Sequence, residues 1–250
     1  MLKKLLVLLK IAFWMIRQDK QRKLCMKFHK EGNIEERDNI VWQKVPAWAQ
    51  YCAEVTGTKV TVEGLEKLPD SPVVFIANHQ GFMDIPAIYG YVPKKISFVA
   101  KKEIEKVPIL RDWMYFLECT FIDRKSPRAS IKAIHDAADG VKRGYSQVIF
   151  PEGTRSKGRP HQEFKAGSFK LAFLSEAPIV PVTIEGSYKV YEEKNKIVEG
   201  NEIKVTIHDA IPIKDLSKEQ LAEIPAKVEA IVCAQLKDSE EAWRKAHPEA

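Results

Sequence analysis

His79 and Asp84 stand five residues apart at the end of an apolar run, Val73-Val74-Phe75-Ile76-Ala77, that is followed by Asn78. An imidazole can take and return a proton near neutrality, and a carboxylate bonded to it fixes the ring tautomer and stabilises the protonated form. That pair is the chemistry of a general base. On one continuous helix a five-residue step would separate the two side chains by about 140°, whereas a strand-to-helix turn folds the carboxylate back onto the ring. Downstream, Phe121-Ile122-Asp123-Arg124 ends a second apolar run in an arginine. Phe150-Pro151-Glu152-Gly153-Thr154-Arg155-Ser156 ends a third in a turn with a carboxylate, hydroxyls and another arginine. Guanidinium groups present paired donors in a plane and stay charged at any working pH, which suits a phosphate. Taken singly, each cluster also has an ordinary reading: a strand-end histidine, a helix-capping aspartate, a solvated Asp-Arg pair and a common P-E-G turn.

The elements around these residues decide whether they meet. The run at 73–77 reads as a strand buried on both faces, and Asp84-Ile85-Pro86 as a helix start with aspartate as N-cap. Further strands are expected at 59–63, 96–100, 119–122, 148–150, 179–184 and 202–207, and helices at 109–117, 128–142 and 168–175. A C-terminal helical region at 221–245 is expected to break near Pro225. Strands alternating with helices argue for an α/β fold with a mostly parallel central sheet covered by helices, in which ligands sit beyond the carboxyl ends of the strands.

At 250 residues, with 45% hydrophobic residues and 12 glycines, the chain can bury a sizeable core. Cys25, Cys52, Cys119 and Cys233 are widely spaced, without C-x-x-C, and read as reduced thiols on the cytosolic side. Dinucleotide, Walker A, H-E-x-x-H and G-x-S-x-G signatures are absent, which counts against nucleotide cofactors, catalytic zinc and a serine hydrolase elbow.

Charge is concentrated at the start. Residues 1–30 hold nine basic side chains and one acidic, a net of +8, so that the other 220 residues net −2 against the chain's +6. Leu2, Leu5, Leu6, Leu9, Phe13 and Ile16 recur at helical spacing beside a basic stripe of Lys3, Lys10 and Arg17. A helix over 2–17 spans about 24 Å against roughly 30 Å of hydrocarbon, and Lys10 would sit at its centre. The pattern predicts an amphipathic helix lying on a membrane surface, with its lysines on anionic phospholipids, rather than a span or a signal peptide. Gly32 and Asn33 mark a turn within the polar stretch 31–39, and a second helix with apolar steps at Val41, Val45, Trp48, Cys52 and Val55 runs to Gly57, bent or restarted near Pro46. That helix either completes a membrane-associating hairpin or packs on the domain. The expected division is residues 1–57 as membrane-associating helices and 58–250 as the catalytic domain. Nucleic acid is disfavoured as a partner, because leucines rather than stacking aromatics interleave the basic segment.

Asn78-His79-x4-Asp84, Thr120-Phe121-Ile122-Asp123-Arg124, Phe150 through Ser156, and Pro178-Ile179-Val180-Pro181-Val182 resemble, in order, the four blocks of the glycerolipid acyltransferases. The likeness covers about residues 58–190 and is greatest to the 1-acyl-sn-glycerol-3-phosphate (lysophosphatidic acid) acyltransferases. The resemblance implies that His79 and Asp84 are catalytic, that Arg124, Glu152 and Arg155 serve a glycerol-phosphate acceptor together with Gly153 and Thr154 of the same turn, and that Pro178, Ile179, Val180, Pro181 and Val182 border the acyl site. Lys165-Ala166-Gly167 resembles the family's Phe-Lys-x-Gly element, and Cys119 stands where the second block often has glycine. The implied reaction moves an acyl chain from acyl-CoA or acyl-carrier protein to a lysophospholipid hydroxyl, without a cofactor or metal, at the cytoplasmic face of a membrane as a peripheral or monotopic enzyme. Backbone N–H groups around Gln80 and Gly81 are the candidate oxyanion donors. Other acceptors, glycerol 3-phosphate or another lysolipid, and a catalytically silent lipid-binding protein are the alternatives.

Overall fold

The computed structural model of the chain describes residues 2–123 and 126–246, so Arg124 lies outside the described residues. Seven strands form one sheet: β1 (Lys59–Glu63), β2 (Val74–Ala77), β3 (Ile96–Lys101), β4 (Thr120–Ile122), β5 (Ser146–Ile149), β6 (Ile179–Glu185) and β7 (Glu202–Ile207). Their order is β1-β7-β6-β2-β5-β3-β4. Every neighbouring pair is parallel except β6 with β7. β2 through β6 therefore all point their carboxyl ends at one edge. Their sequences are short apolar runs because both faces are covered, and β2 is buried along its whole length.

Two layers of helices supply the cover. On one face, Phe75, Ala77, Val180 and Val182 pack with α3 (Ile34–Val55), α4 (Asp84–Tyr91) and α5 (Pro108–Phe116). On the other, Val74, Ile76 and Ile179 pack with α6 (Pro127–Lys142), α7 (Lys170–Ser175) and α8 (Lys218–Ala234), and α9 (Lys237–Ala246) closes the chain. The alternation of β2 side chains between the two cores follows from the period-two geometry of a strand. All four cysteines are free and buried.

The N-terminal region differs from the expected hairpin. Three helices are present, α1 (Leu2–Arg17), α2 (Asp19–Glu31) and α3, and the polar turn shrinks to Gly32, left-handed at φ 74°, and Asn33. α3 takes the second of its two readings. Val41, Val45, Ala49 and Cys52 are buried in the core shared with the sheet. Gly90 of α4 lets α3 approach closely, since a Cβ there would lie 3.2 Å from that of Ala49, and the Gln50 side chain donates to the Gly90 carbonyl at 2.9 Å. Its other end is tied in by Arg37, wholly buried and bonded to Asp38, Glu118 and Tyr145. Neither proline interrupts its helix. Pro46 lies inside α3 and Pro225 inside α8, and the C-terminal break falls at residues 235–236 instead. Tertiary packing of both faces outweighs the single hydrogen bond each proline removes.

Candidate active site

β2 ends at Ala77, and Asn78 extends its pairing with side-chain atoms: its amide donates to the Ile184 carbonyl at 2.8 Å, and Ile184 N–H donates to its Oδ1 at 2.7 Å. This fixes the chain direction just before the turn. His79 then points its Nδ1 at Asp84 Oδ2, 2.6 Å away. The expected fold-back of carboxylate onto ring is thus present. Asp84 is the first residue of α4 rather than its N-cap, which is Met83, and its carboxylate reaches back instead of capping forward. Oδ2 also accepts the N–H groups of Gln80 at 2.8 Å and Gly81 at 3.0 Å, while Ser187 Oγ donates to Oδ1. A fully buried carboxylate is tolerable here because four donors and the N-terminal dipole of α4 satisfy it.

Those bonds remove one expectation. The N–H groups of Gln80 and Gly81 are committed to Asp84, and that of Phe82 to Glu192 Oε1 at 2.9 Å. They are not oxyanion donors in this arrangement. The His79 ring itself lies flat on Phe150, centroids 4.1 Å apart and planes within 14°, leaving the Nε2 edge away from Asp84. With 17% of its side chain exposed, the ring is accessible but held on two sides.

The third block wraps around the first. Ser156 N–H donates to the His79 carbonyl at 2.7 Å and Lys157 N–H to that of Gln80 at 3.0 Å. Glu152 is completely buried, accepting His79 N–H on Oε1 at 2.7 Å and Gln162 N–H on Oε2 at 3.1 Å. Its carboxylate thus faces the backbone rather than the open cleft. Burial raises its pKa, opposed by the two N–H donors. Gly153 adopts φ +74°, and a Cβ there would sit 2.9 Å from Lys165 Nζ, so the bare turn lets that ammonium lie across it. Thr154 and Arg155 are exposed at the tip. Arg155 Nη1 donates to Glu192 Oε1 at 2.8 Å.

The second block lies farther off, while the fourth runs directly beside the first. β4 is three strands from β2 in the sheet order, about 14 Å at ordinary strand spacing, and Asp123 accepts from Ser126 N–H at 3.2 Å. Cys119 is buried beside Tyr89, whose hydroxyl is 3.7 Å from the sulfur. The residue in left-handed conformation there is Glu118, φ 56°, its carboxylate held by Arg37 and Arg143. Ile179, Val180, Pro181 and Val182 form the first part of β6, buried at the sheet centre, with Pro178 just before it. What that strand delivers to the site is its far end: Ile184, then Gly186, whose N–H donates to Gln80 Oε1 at 2.9 Å, then Ser187.

Sequence reasoning passed over Phe150 as a ring support, Ser187 and Glu192. Ser187 follows a Gly at a strand end, a weak turn signal, and Glu192 has no sequence signal at all.

A mostly parallel sheet thus presents a His–Asp pair and a glycine turn with carboxylate and arginine at one edge of an α/β domain, an arrangement suited to proton transfer beside an anion. A family model described as Acyltransferase matches residues 59–185, more than half the chain, and the chain belongs to that family. It is 33% identical over 156 residues to the chloroplastic 1-acyl-sn-glycerol-3-phosphate acyltransferase LPAT1 of Arabidopsis thaliana, covering 61% of this chain and 44% of that one. To the 1-acyl-sn-glycerol-3-phosphate acyltransferase of Saccharomyces cerevisiae it is 31% identical over 175 residues, covering 69% and 58%. The chain thus spans about half the length of these curated relatives. It also superposes on the crystal structure of the 1-acyl-sn-glycerophosphate acyltransferase PlsC of Thermotoga maritima, with a TM-score of 0.72, 25% identity and 94% and 97% coverage of the two chains.

Proposed function

We propose that the protein transfers an acyl chain from a thioester, acyl-CoA or acyl-carrier protein, to the free sn-2 hydroxyl of 1-acyl-glycerol 3-phosphate, giving phosphatidic acid. The observation that carries this reading is the 2.6 Å contact between His79 Nδ1 and Asp84, set in a fold and family whose named relatives act on that acceptor. With Nδ1–H directed at the carboxylate, Nε2 is the free base. It takes the hydroxyl proton as the oxygen attacks the thioester carbonyl, and returns a proton to the leaving thiolate. The thioester is already activated, so the step is written with no acyl-enzyme and no cofactor, and positioning supplies much of the rate.

The phosphate is assigned to Arg155, with Arg124 from the second block as its partner and Lys165, Gly153 and Thr154 along the same turn. Glu152 serves this site through the backbone of His79 and Gln162. The acyl-site border is assigned to the strand at 178–182, acting through the position of the segment it continues into.

Approach to lipid is assigned to α1. Its apolar residues divide between two faces: Val7 is 5% exposed and Ile11 and Met15 pack on the core, whereas Leu9 is 55% and Phe13 61% exposed. Among the described residues no helix is long and apolar enough to cross a membrane. An outward greasy face beside Lys3, Lys10 and Arg17 suits a peripheral or monotopic seat on anionic phospholipid at the cytoplasmic face. Within residues 1–57, α1 would then be the membrane-associating part, and α3 would belong with the catalytic part 58–250 on which it packs.

The test is acyl transfer by purified protein with both donors and an acceptor panel of lysophosphatidate, glycerol 3-phosphate and phosphate-free lysolipid. Preferred turnover of lysophosphatidate, lost in His79→Ala, is expected; no turnover of any acceptor by the wild type refutes the reading.

A further inference from the structure

Glu192 lies beyond the matched family region and outside the four blocks, yet one of its oxygens accepts from two of them. Oε1 takes the Phe82 N–H at 2.9 Å and Arg155 Nη1 at 2.8 Å. The side chain carrying this fork is buried, with 4% of its surface exposed against 43% for that of Arg155. Arg155 is thus a half-exposed cation whose guanidinium is pinned at one terminal nitrogen by a buried carboxylate. Space for the carboxylate depends on Gly81, where a Cβ would fall 2.7 Å from Glu192 Oε2. That second oxygen is buried without a hydrogen-bond partner among the described residues, an arrangement that costs stability. A carboxylate kept there serves something other than stability alone. Burial raises the Glu192 pKa, opposed by the Phe82 N–H and Arg155.

The geometry points to Glu192 as the positioning residue that fixes the plane of the Arg155 guanidinium, and so sets selectivity for an acceptor bearing a phosphomonoester. Pinning Nη1 leaves the Nε and Nη2 edge, two parallel N–H donors, to face a phosphate. A free arginine would have to be ordered by each substrate molecule, whereas a fixed one presents its fork ready-made. Because the same oxygen holds the Phe82 N–H, the fork is referenced to the turn that carries His79. The distance from phosphate to attacking hydroxyl is thereby matched to the base.

This inference rests on the assignment of Arg155 to the acceptor phosphate. The experiment measures kcat, KM for lysophosphatidate, KM for the thioester, and competitive inhibition by glycerol 3-phosphate in wild type, Arg155→Ala, Glu192→Ala, Glu192→Asp and Glu192→Gln. Glu192→Ala should raise the acceptor KM and the glycerol 3-phosphate inhibition constant on the order of tenfold, with the thioester KM unchanged. Glu192→Gln keeps an accepting oxygen in place while removing a negative charge near the phosphate, so its acceptor KM should equal or fall below that of the wild type. Glu192→Asp, one methylene short, should lie between, and the Asp–Gln contrast decides the matter where the alanine variant does not fold. A loss shared equally between acceptor and thioester, or an acceptor KM raised as much by Gln as by Ala, reduces Glu192 to a brace for the turn and overturns the inference. If Arg155→Ala raises the acceptor KM and no Glu192 variant does, this inference alone fails. If Arg155→Ala leaves it unchanged, the phosphate assignment fails and this inference with it.

Discussion

Glu152 accepts the backbone N–H of His79 at 2.7 Å while its own side chain is wholly buried. The carboxylate of the third block is therefore a strut beneath the proposed base. Glu152→Gln supplies one acceptor where two N–H groups converge, and its amide opposes the other. A loss of about 1–3 kcal/mol is expected in urea unfolding, the usual cost of an unsatisfied buried group. The pH dependence has a definite sign. Burial raises the folded pKa of Glu152 above that of an ordinary glutamate, so between the two the folded state binds more protons than the unfolded. This contribution is fully present below the unfolded pKa and is lost as pH rises through the folded one. The stability advantage of wild type over Glu152→Gln should thus shrink across that window. An advantage that grows with pH there contradicts the assignment.

His79→Ala should lower turnover by roughly 10²–10⁴-fold while leaving the melting temperature near wild type. Asp84→Asn should lose both. Oδ2 accepts from the His79 ring and two backbone N–H groups, and an amide nitrogen at that point would face three donors. Thermal denaturation alongside kinetics separates the two roles; an Asp84→Asn protein as stable as wild type would mean that the carboxylate acts on the ring alone.

The central strands were legible because β-branched and aromatic runs such as 73–77 and 179–184 are too apolar for anything but a doubly covered sheet, whereas β1 was legible from its alternation, which leaves every second residue exposed. The His79–Asp84 contact was legible because the run ends there and a helix must begin. α2 was not. Its segment holds five Lys or Arg and two acidic residues among thirteen, and the few apolar positions that pack, Cys25 and Met26 among them, are swamped by charge. The break expected near Pro225 misled for the opposite reason: a local rule was applied where the packing of α8 prevails. Glu192 and Ser187 reach the site only because β6 runs beside β2, a relation that pairing creates and no local pattern encodes.

Phe150 carries the His79 ring on its face at 4.1 Å and stacks in turn near Phe98 at 6.0 Å. Phe150→Ala removes the floor under the imidazole without touching its hydrogen bond to Asp84. A shift of the ring by about 1 Å is enough to cost on the order of 10²-fold in turnover. Phe150→Tyr, which keeps the ring, should retain most activity. Equal losses in the two variants would show that the stack does not position the base.

The two faces of α1 make opposite predictions. Val7 is buried and faces the domain, where Lys4 bonds the Tyr191 hydroxyl and Lys3 pairs with Glu199 at 2.8 Å. Val7→Asp places a charge against the core and should lower the melting temperature markedly. Leu9 and Phe13 face outward, so Leu9→Glu and Phe13→Glu should stay within about 0.5 kcal/mol of wild-type stability. Vesicle binding should respond in the reverse order. Each outward apolar side chain contributes roughly 1.5–3 kcal/mol when buried in lipid, and the new carboxylates oppose anionic headgroups. Co-sedimentation with vesicles of rising phosphatidylserine content should therefore weaken at least tenfold for the double outward variant, and wild-type binding should fall with added salt. Turnover of lysophosphatidate in bilayers should drop with binding, while turnover of a short water-soluble analogue should not. Unchanged vesicle binding in the outward variants removes α1 as the membrane seat.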